Sequence, residues 1–248
     1  MKKEYHKITK ISNLKDMLKK SGKMYGDRPA FKYKTDKENE FRIITHKEFR
    51  EDVDALGTSL IELGLSGKRI AVISENRYEW DVAYLAICCG TGIVVPLDKL
   101  LPETEIESSI VRSGVEAIFY SAKYNEIMDN IRIKGTTKLK YFISMDTNSN
   151  TDKTFSEKEL IDNGKKLIEA GNKKFVNAKI NNEEMSIMLF TSGTTAISKI
   201  VALSHKNICT NLMDIASVIE INEEDILLSF LPLHHTFECT VRFPISNV

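Results

Sequence analysis

No export signal and no membrane span is found in these 248 residues. The opening MKKEYHKITKISNLKDML lacks the apolar core of a secretory leader. The longest apolar-rich run, AYLAICCGTGIVVPL, is shorter than the ~20 residues a bilayer requires, and it carries glycines and a proline. C-x-x-C pairs are absent too. The four cysteines, Cys88, Cys89, Cys209 and Cys239, lack the spacing of a metal or redox pair and read as buried, reduced thiols. Net charge is also missing, with 35 Lys and Arg against 35 Asp and Glu. Without a basic surplus nothing points to nucleic acid, and without an acidic one nothing points to disorder. No internal repeat is found. The sequence reads as that of a soluble, cytoplasmic chain, compatible with peripheral contact at a membrane surface.

What is present is a hydrophobic fraction of 42%, enough for a substantial buried core. Within residues 41–64, Thr45 followed by Glu48 is a capping-box pattern. Phe49, Val53, Leu56, Leu60 and Leu63 then recur at helical spacing, and Gly64 and Gly67 mark the end. Strand and helix alternate afterwards. RIAVIS, GIVVPLD, VEAIFYS and KLKYFISMD read as strands; WDVAYLAICCG, PETEIESSIVRSG and residues 122–133 read as helices. The strands are nearly continuous apolar runs, which predicts an α/β fold with a layered parallel sheet and helices on both faces. TNSNTDKTFS, 147–156, reads as a surface loop before a helix near 157–170. SIMLF and IVALS read as further strands. Ser204 is a predicted N-cap for a helix striped by Ile208, Leu212, Ile215 and Ile219, and ILLSFLP, 226–232, reads as one more strand.

Between SIMLF and IVALS stands TSGTT, followed by a lysine. Small residues let backbone amides approach phosphate oxygens, hydroxyls add donors, and lysine adds a compact positive charge. Thr191, Ser192, Gly193, Thr194, Thr195 and Lys199 supply all three. The P-loop spacing G-x-x-x-x-G-K-[ST] is absent. On residues alone, a phosphate loop and a plain polar turn between two strands both remain open.

TSGTTAISK resembles the signature TSGTTGxPKG of the adenylate-forming superfamily, which includes acyl-CoA synthetases, luciferases and peptide-synthetase adenylation domains. Ser204, His205 and Asn207 match the [ST]-H-x-N that follows it there. THKEF is similar to T-Y-x-E-L, and SENRYEW with LAICCGTGIVVPLD is similar to ENRxEW … AGxVxVPLD. LPLHHTFE is similar to the PLxH segment, with a flavour of bacterial long-chain acyl-CoA synthetases. The resemblance implies ATP-dependent activation of a carboxylic acid, a fatty acid by this flavour, to an acyl-adenylate. Transfer to coenzyme A follows, with Mg²⁺ held through the phosphates. It implies that Thr191 through Thr195 and Lys199 contact the β- and γ-phosphates, and that His235 lies beside the acyl pocket. Strand-end hydrogen bonding is the other reading of His235, and the favoured one for His234.

Three positions depart from the signature: Ala196 and Ile200 stand where glycine is usual, and Ser198 where proline stiffens the loop. The hydroxyls and Lys199 remain, so the expectation is a loop of shifted geometry that still binds nucleotide. No stretch matches the family's YGxTE motif, ribose aspartate, hinge or C-terminal lysine. Residues 1–248 are therefore expected to be a partial N-terminal AMP-binding domain without the C-terminal domain, poorly soluble or dependent on that portion or a partner chain, and inactive alone. A non-catalytic remnant or interaction module is the alternative.

Overall fold

Every residue of the run Ile70–Ile73 is fully buried, because this strand has a helical layer on each side. Ile70 and Val72 join one apolar cluster, and Ala71 and Ile73 the other. The same alternation sends Phe119 to the first and Ile118 to the second, as the two-residue repeat of a strand demands. This two-sided burial is why the strands read as unbroken apolar runs. A side chain such as Ile70 gains about 1.5–3 kcal/mol from leaving water.

The computed structural model describes residues 6–35, 40–191, 198–220, 222 and 224–241. Helix α1 (Leu14–Met24) precedes an antiparallel pair, β1 (Pro29–Lys34) and β2 (Phe41–Thr45). Helix α2 (His46–Glu62) starts on the predicted capping box: Glu48 N–H donates to Thr45 Oγ1 at 3.1 Å and Thr45 N–H to Glu48 Oε2 at 2.7 Å. Then follow β3 (Arg69–Ile73), α3 (Tyr78–Ala86) with a wide turn over Ile87–Thr91, β4 (Ile93–Pro96), α4 (Glu103–Ser113) and β5 (Ala117–Tyr120). Gly114 stops α4 in the left-handed region at φ 64°, which a side chain would strain. Beyond lie α5 (Asn125–Lys134), β6 (Tyr141–Ser144), β7 (Phe155–Ser156), α6 (Glu157–Glu169), β8 (Met185–Thr191), β9 (Lys199–Ser204), α7 (His205–Val218) and α8 (Thr236–Val241).

Among the described residues seven strands form one sheet, in the order β7-β6-β5-β3-β4-β8-β9. Helices α4 and α5 cover one face; α1, α2, α3 and α7 contribute to the cluster on the other. Helix α6 lies against α2, where Gly164 leaves no room for a side chain: a methyl there would stand 1.9 Å from the Ala55 carbonyl oxygen. The four cysteines are buried and form no disulfide among the described residues, as expected. Among the described residues no helix is long and apolar enough to cross a membrane.

The expected layered parallel sheet with helices on both faces is present, with β9 added antiparallel to β8. Residues 192–198 are too few for the crossover of a dozen or more that a parallel return requires. Three expectations are corrected. ILLSFLP is not a strand: it joins no ladder among the described residues, and Ile226 and Leu228 are 91% and 82% exposed. Apolar content alone supplies no partner for its backbone. The α7 stripe ends early, because Ile219 is the extended C-cap and half exposed. Within 147–156, the last two residues add β7 to the sheet edge.

Candidate active site

β3, β4, β5 and β8 run in parallel, so their carboxyl ends share one edge. Helix α3, leaving β3, packs on one face, and α4, leaving β4, packs on the other. The β3/β4 pair therefore flanks the topological switch, where open α/β sheets place ligands. Ser74, Glu75 and Asn76 follow β3 there; Asp98 and Lys99 follow β4; Ser121 follows β5; residues 192–198 follow β8.

Part of this edge is gripped by the chain itself. Asn76 Nδ2 donates to the Leu231 carbonyl at 2.7 Å, and Lys99 Nζ donates to Asn76 Oδ1 at 3.2 Å. Ser121 Oγ donates to Glu75 Oε2 at 2.7 Å, and Ser229 Oγ to Glu238 Oε1 at 2.6 Å. His234 Nε2 lies 3.5 Å from Asp98 Oδ1. Burial holds the His234 imidazole below its ordinary value, against the pull of Asp98 and with help from His235 and Lys99. His235 is exposed; its N–H donates to the Pro232 carbonyl at 3.0 Å, and its own carbonyl accepts from Cys239 N–H at 3.0 Å as α8 begins. The two histidines thus face different surroundings.

Of the phosphate-loop residues, Thr191 and Lys199 are described and Ser192, Gly193, Thr194 and Thr195 are not, nor is Ala196. Thr191 ends β8, Lys199 begins β9, and the two are register partners with exposed side chains. A hydroxyl and an ammonium therefore stand at the two rims of the loop, a donor set suited to an anion. Ser198 accepts two hydrogen bonds from Arg112. Ile200 is exposed on β9, so its side chain is accommodated where the signature has glycine. Among the described residues no group of three His, Cys, Asp or Glu side chains is placed to hold a metal ion.

The match at Ser204, His205 and Asn207 is a brace. Asn207 N–H donates to Ser204 Oγ at 3.3 Å and Ser204 N–H to Asn207 Oδ1 at 2.9 Å, forming a capping box on α7. His205 is buried and ties Leu14 to Cys88. Sequence reasoning gave no role to Asn76, Asp98, Lys99 or Arg112, although Asn76 and Asp98 lie within the segments SENRYEW and GIVVPLD that carry the resemblance. For the first three the available signal was position, directly after an apolar strand. Nothing local marks Arg112.

The end of β8 and the start of β9 thus lie at the carboxyl edge of an open, mostly parallel α/β sheet, where such sheets hold ligands. The family model described as AMP-binding enzyme matches residues 18–246, and the chain belongs to that family. It is 26% identical to fatty acyl-CoA synthetase B of Dictyostelium discoideum, covering 93% of this chain and 36% of the relative. Identity to a long-chain-fatty-acid–CoA ligase of Escherichia coli O6:H1 is 23%, over 94% of this chain and 44% of that one. The fold superposes on a solved long-chain-fatty-acid-CoA ligase from Archaeoglobus fulgidus with a TM-score of 0.81 at 20% identity, covering 98% of this chain and 47% of the other. The chain spans less than half the length of each of these proteins.

Proposed function

We propose that this chain is the nucleotide-phosphate half of an AMP-forming acid–thiol ligase acting on fatty acids in the cytoplasm. The observation that carries the reading is the pairing of Thr191 with Lys199 at the rims of the loop, within a family match that spans residues 18–246. The names of the relatives support fatty acids and coenzyme A as the other substrates.

The chemistry brings two anions together. A carboxylate oxygen attacks the α-phosphorus of ATP, the bond to the β-phosphate oxygen breaks, and pyrophosphate leaves with the electron pair. The thiolate of coenzyme A then attacks the acyl carbon and displaces AMP. Amides and hydroxyls from Thr191 to Thr195, with the Lys199 ammonium, would bind the β- and γ-phosphates and stabilise the charge that collects on pyrophosphate. Mg²⁺ would arrive on the phosphates and neutralise them further. His235, exposed at the carboxyl edge, would stand beside the acid.

Calorimetric titration of the chain with MgATP tests the reading. Measurable binding that Lys199→Ala weakens about tenfold, the loss of one charge-assisted contact of ~1.4 kcal/mol, is expected. Fatty-acid-dependent ATP–pyrophosphate exchange is expected to be absent from these residues alone. A second reading, a non-catalytic interaction module, is favoured by the exposed run Ile226, Leu227, Leu228 and Phe230. Absence of MgATP binding would select it.

A further inference from the structure

Arg112 lies in the last turn of α4, far in sequence from the loop, yet it touches both rims. Its Nη1 donates to Ser198 Oγ at 3.0 Å and its Nη2 to the Ser198 carbonyl at 2.5 Å. Its guanidinium carbon lies 5.4 Å from the ring centre of Phe190. Phe190 directly precedes Thr191, and Ser198 directly precedes Lys199. One planar cation therefore spans the two strands where the loop leaves β8 and where it rejoins as β9.

The platform under Arg112 is fixed. Arg69 Nη1, from β3, donates to the Ser113 carbonyl at 2.8 Å, and Ser113 Oγ donates to Ser109 O at 2.6 Å. The β8–β9 register independently holds Phe190 opposite Ile200 and Thr191 opposite Lys199. A rigid fork thus joins the last residues of β8 to the residue before β9.

From this geometry we infer that Arg112 is a positioning residue for the phosphate loop: it clamps the loop's base through Ser198 and Phe190 and holds Thr191 and Lys199 in a nucleotide-ready arrangement. This rests on the nucleotide-binding role proposed above. Ser198 is integral to the device, because its hydroxyl is one of the two acceptors, which proline could not offer. Arg112 acts through the fork geometry of its guanidinium and not through charge alone, since a lysine cannot reach two acceptors in one plane. A clamp of this kind raises the fraction of molecules competent to bind, and apparent affinity falls in proportion when that fraction falls.

The test uses the whole chain with two readouts: hydrogen exchange of residues 190–201 without nucleotide, and MgATP affinity by titration. Arg112→Ala and Arg112→Lys are both expected to speed exchange and to weaken MgATP binding about tenfold. Ser198→Ala is expected to do so by a smaller factor, and Arg112→Ala with Ser198→Ala to be no worse than Arg112→Ala alone. Arg112 is exposed, so an unchanged melting profile is expected to accompany these losses. Wild-type behaviour of Arg112→Lys would overturn the clamp in favour of simple charge. Unchanged exchange and affinity in Arg112→Ala would overturn it outright. A wild-type chain that binds no MgATP would refute the nucleotide role, while faster exchange in Arg112→Ala would still establish the clamp and unchanged exchange would remove it.

Discussion

His205 Nε2 donates to the Cys88 carbonyl at 2.9 Å, and this direction is set from the other side of the ring, where Nδ1 accepts from Leu14 N–H at 3.2 Å. One neutral imidazole thus joins α1, α7 and the wide turn after α3. A second proton on Nδ1 would face the Leu14 N–H with no acceptor. Burial pushes the His205 pKa below its ordinary 6.5, and the bond to Cys88 opposes that shift only in part.

The sign follows. Between the lowered folded value and the ordinary unfolded one, the unfolded chain binds more protons, so stability is full above about pH 6.5 and falls as pH drops through that window. His46 and His234 are shifted the same way, and burial shifts Glu157 upward, with the opposite effect on slope. The contribution of His205 is therefore read as a difference. His205→Gln is expected to be less stable at pH 7.5, and the gap to wild type is expected to narrow toward pH 5. Urea denaturation at several pH values checks this, and a constant gap would contradict it.

At the α2–α6 contact, Gly164→Ala would place a methyl 1.9 Å from the Ala55 carbonyl oxygen. Backbone has to move, because no flexible side chain is there to give way. Helix propensity would return ~1 kcal/mol, and separating the helices costs about 1–3 kcal/mol or more. A net loss of about 1–2 kcal/mol in unfolding free energy, read as a lower urea midpoint, is expected. A gain in stability would show that the two helices do not approach so closely.

Asn76 is the tether between the carboxyl end of β3 and the segment around Leu231. Asn76→Ala removes the donor to Leu231 O and the acceptor for Lys99 together. The expected cost is about 1–2 kcal/mol. Hydrogen exchange in residues 226–239 is expected to accelerate about tenfold, with the sheet unchanged. Uniform acceleration across the chain would mean that Asn76 supports the whole fold instead.

How far the sequence foretold this molecule depends on the range of the forces. Thr45 and Glu48 announced α2 because a capping box is closed by residues three apart. β3 and β5 were legible because burial on both faces removes every polar residue from the run. The direction of β9 turns on the length of the connection, which the apolar pattern of IVALS does not display. ILLSFLP has the composition of a strand, but pairing is decided by a neighbour and not by the segment. Helix α1 and the β1–β2 pair escaped notice because their faces are only partly buried, as Pro29–Lys34 and Phe41–Thr45 show. At the carboxyl edge, Thr191 and Lys199 were found through a resemblance, whereas Asn76, Asp98 and Arg112 owe their places to contacts many residues away.

The buried thiols give the protein a built-in clock. Cys88 and Cys89 lie after α3, Cys209 lies on α7 and Cys239 on α8, all sealed from solvent. Burial raises the Cys209 pKa to about 12, assisted by Cys89 and Asp16, so little of it is thiolate at neutral pH. An alkylating reagent can then register a cysteine only after its surroundings open. Mass spectrometry of which sulfur reacts first would order the departures of α8, α7 and the central turn from one another, without any label having been introduced.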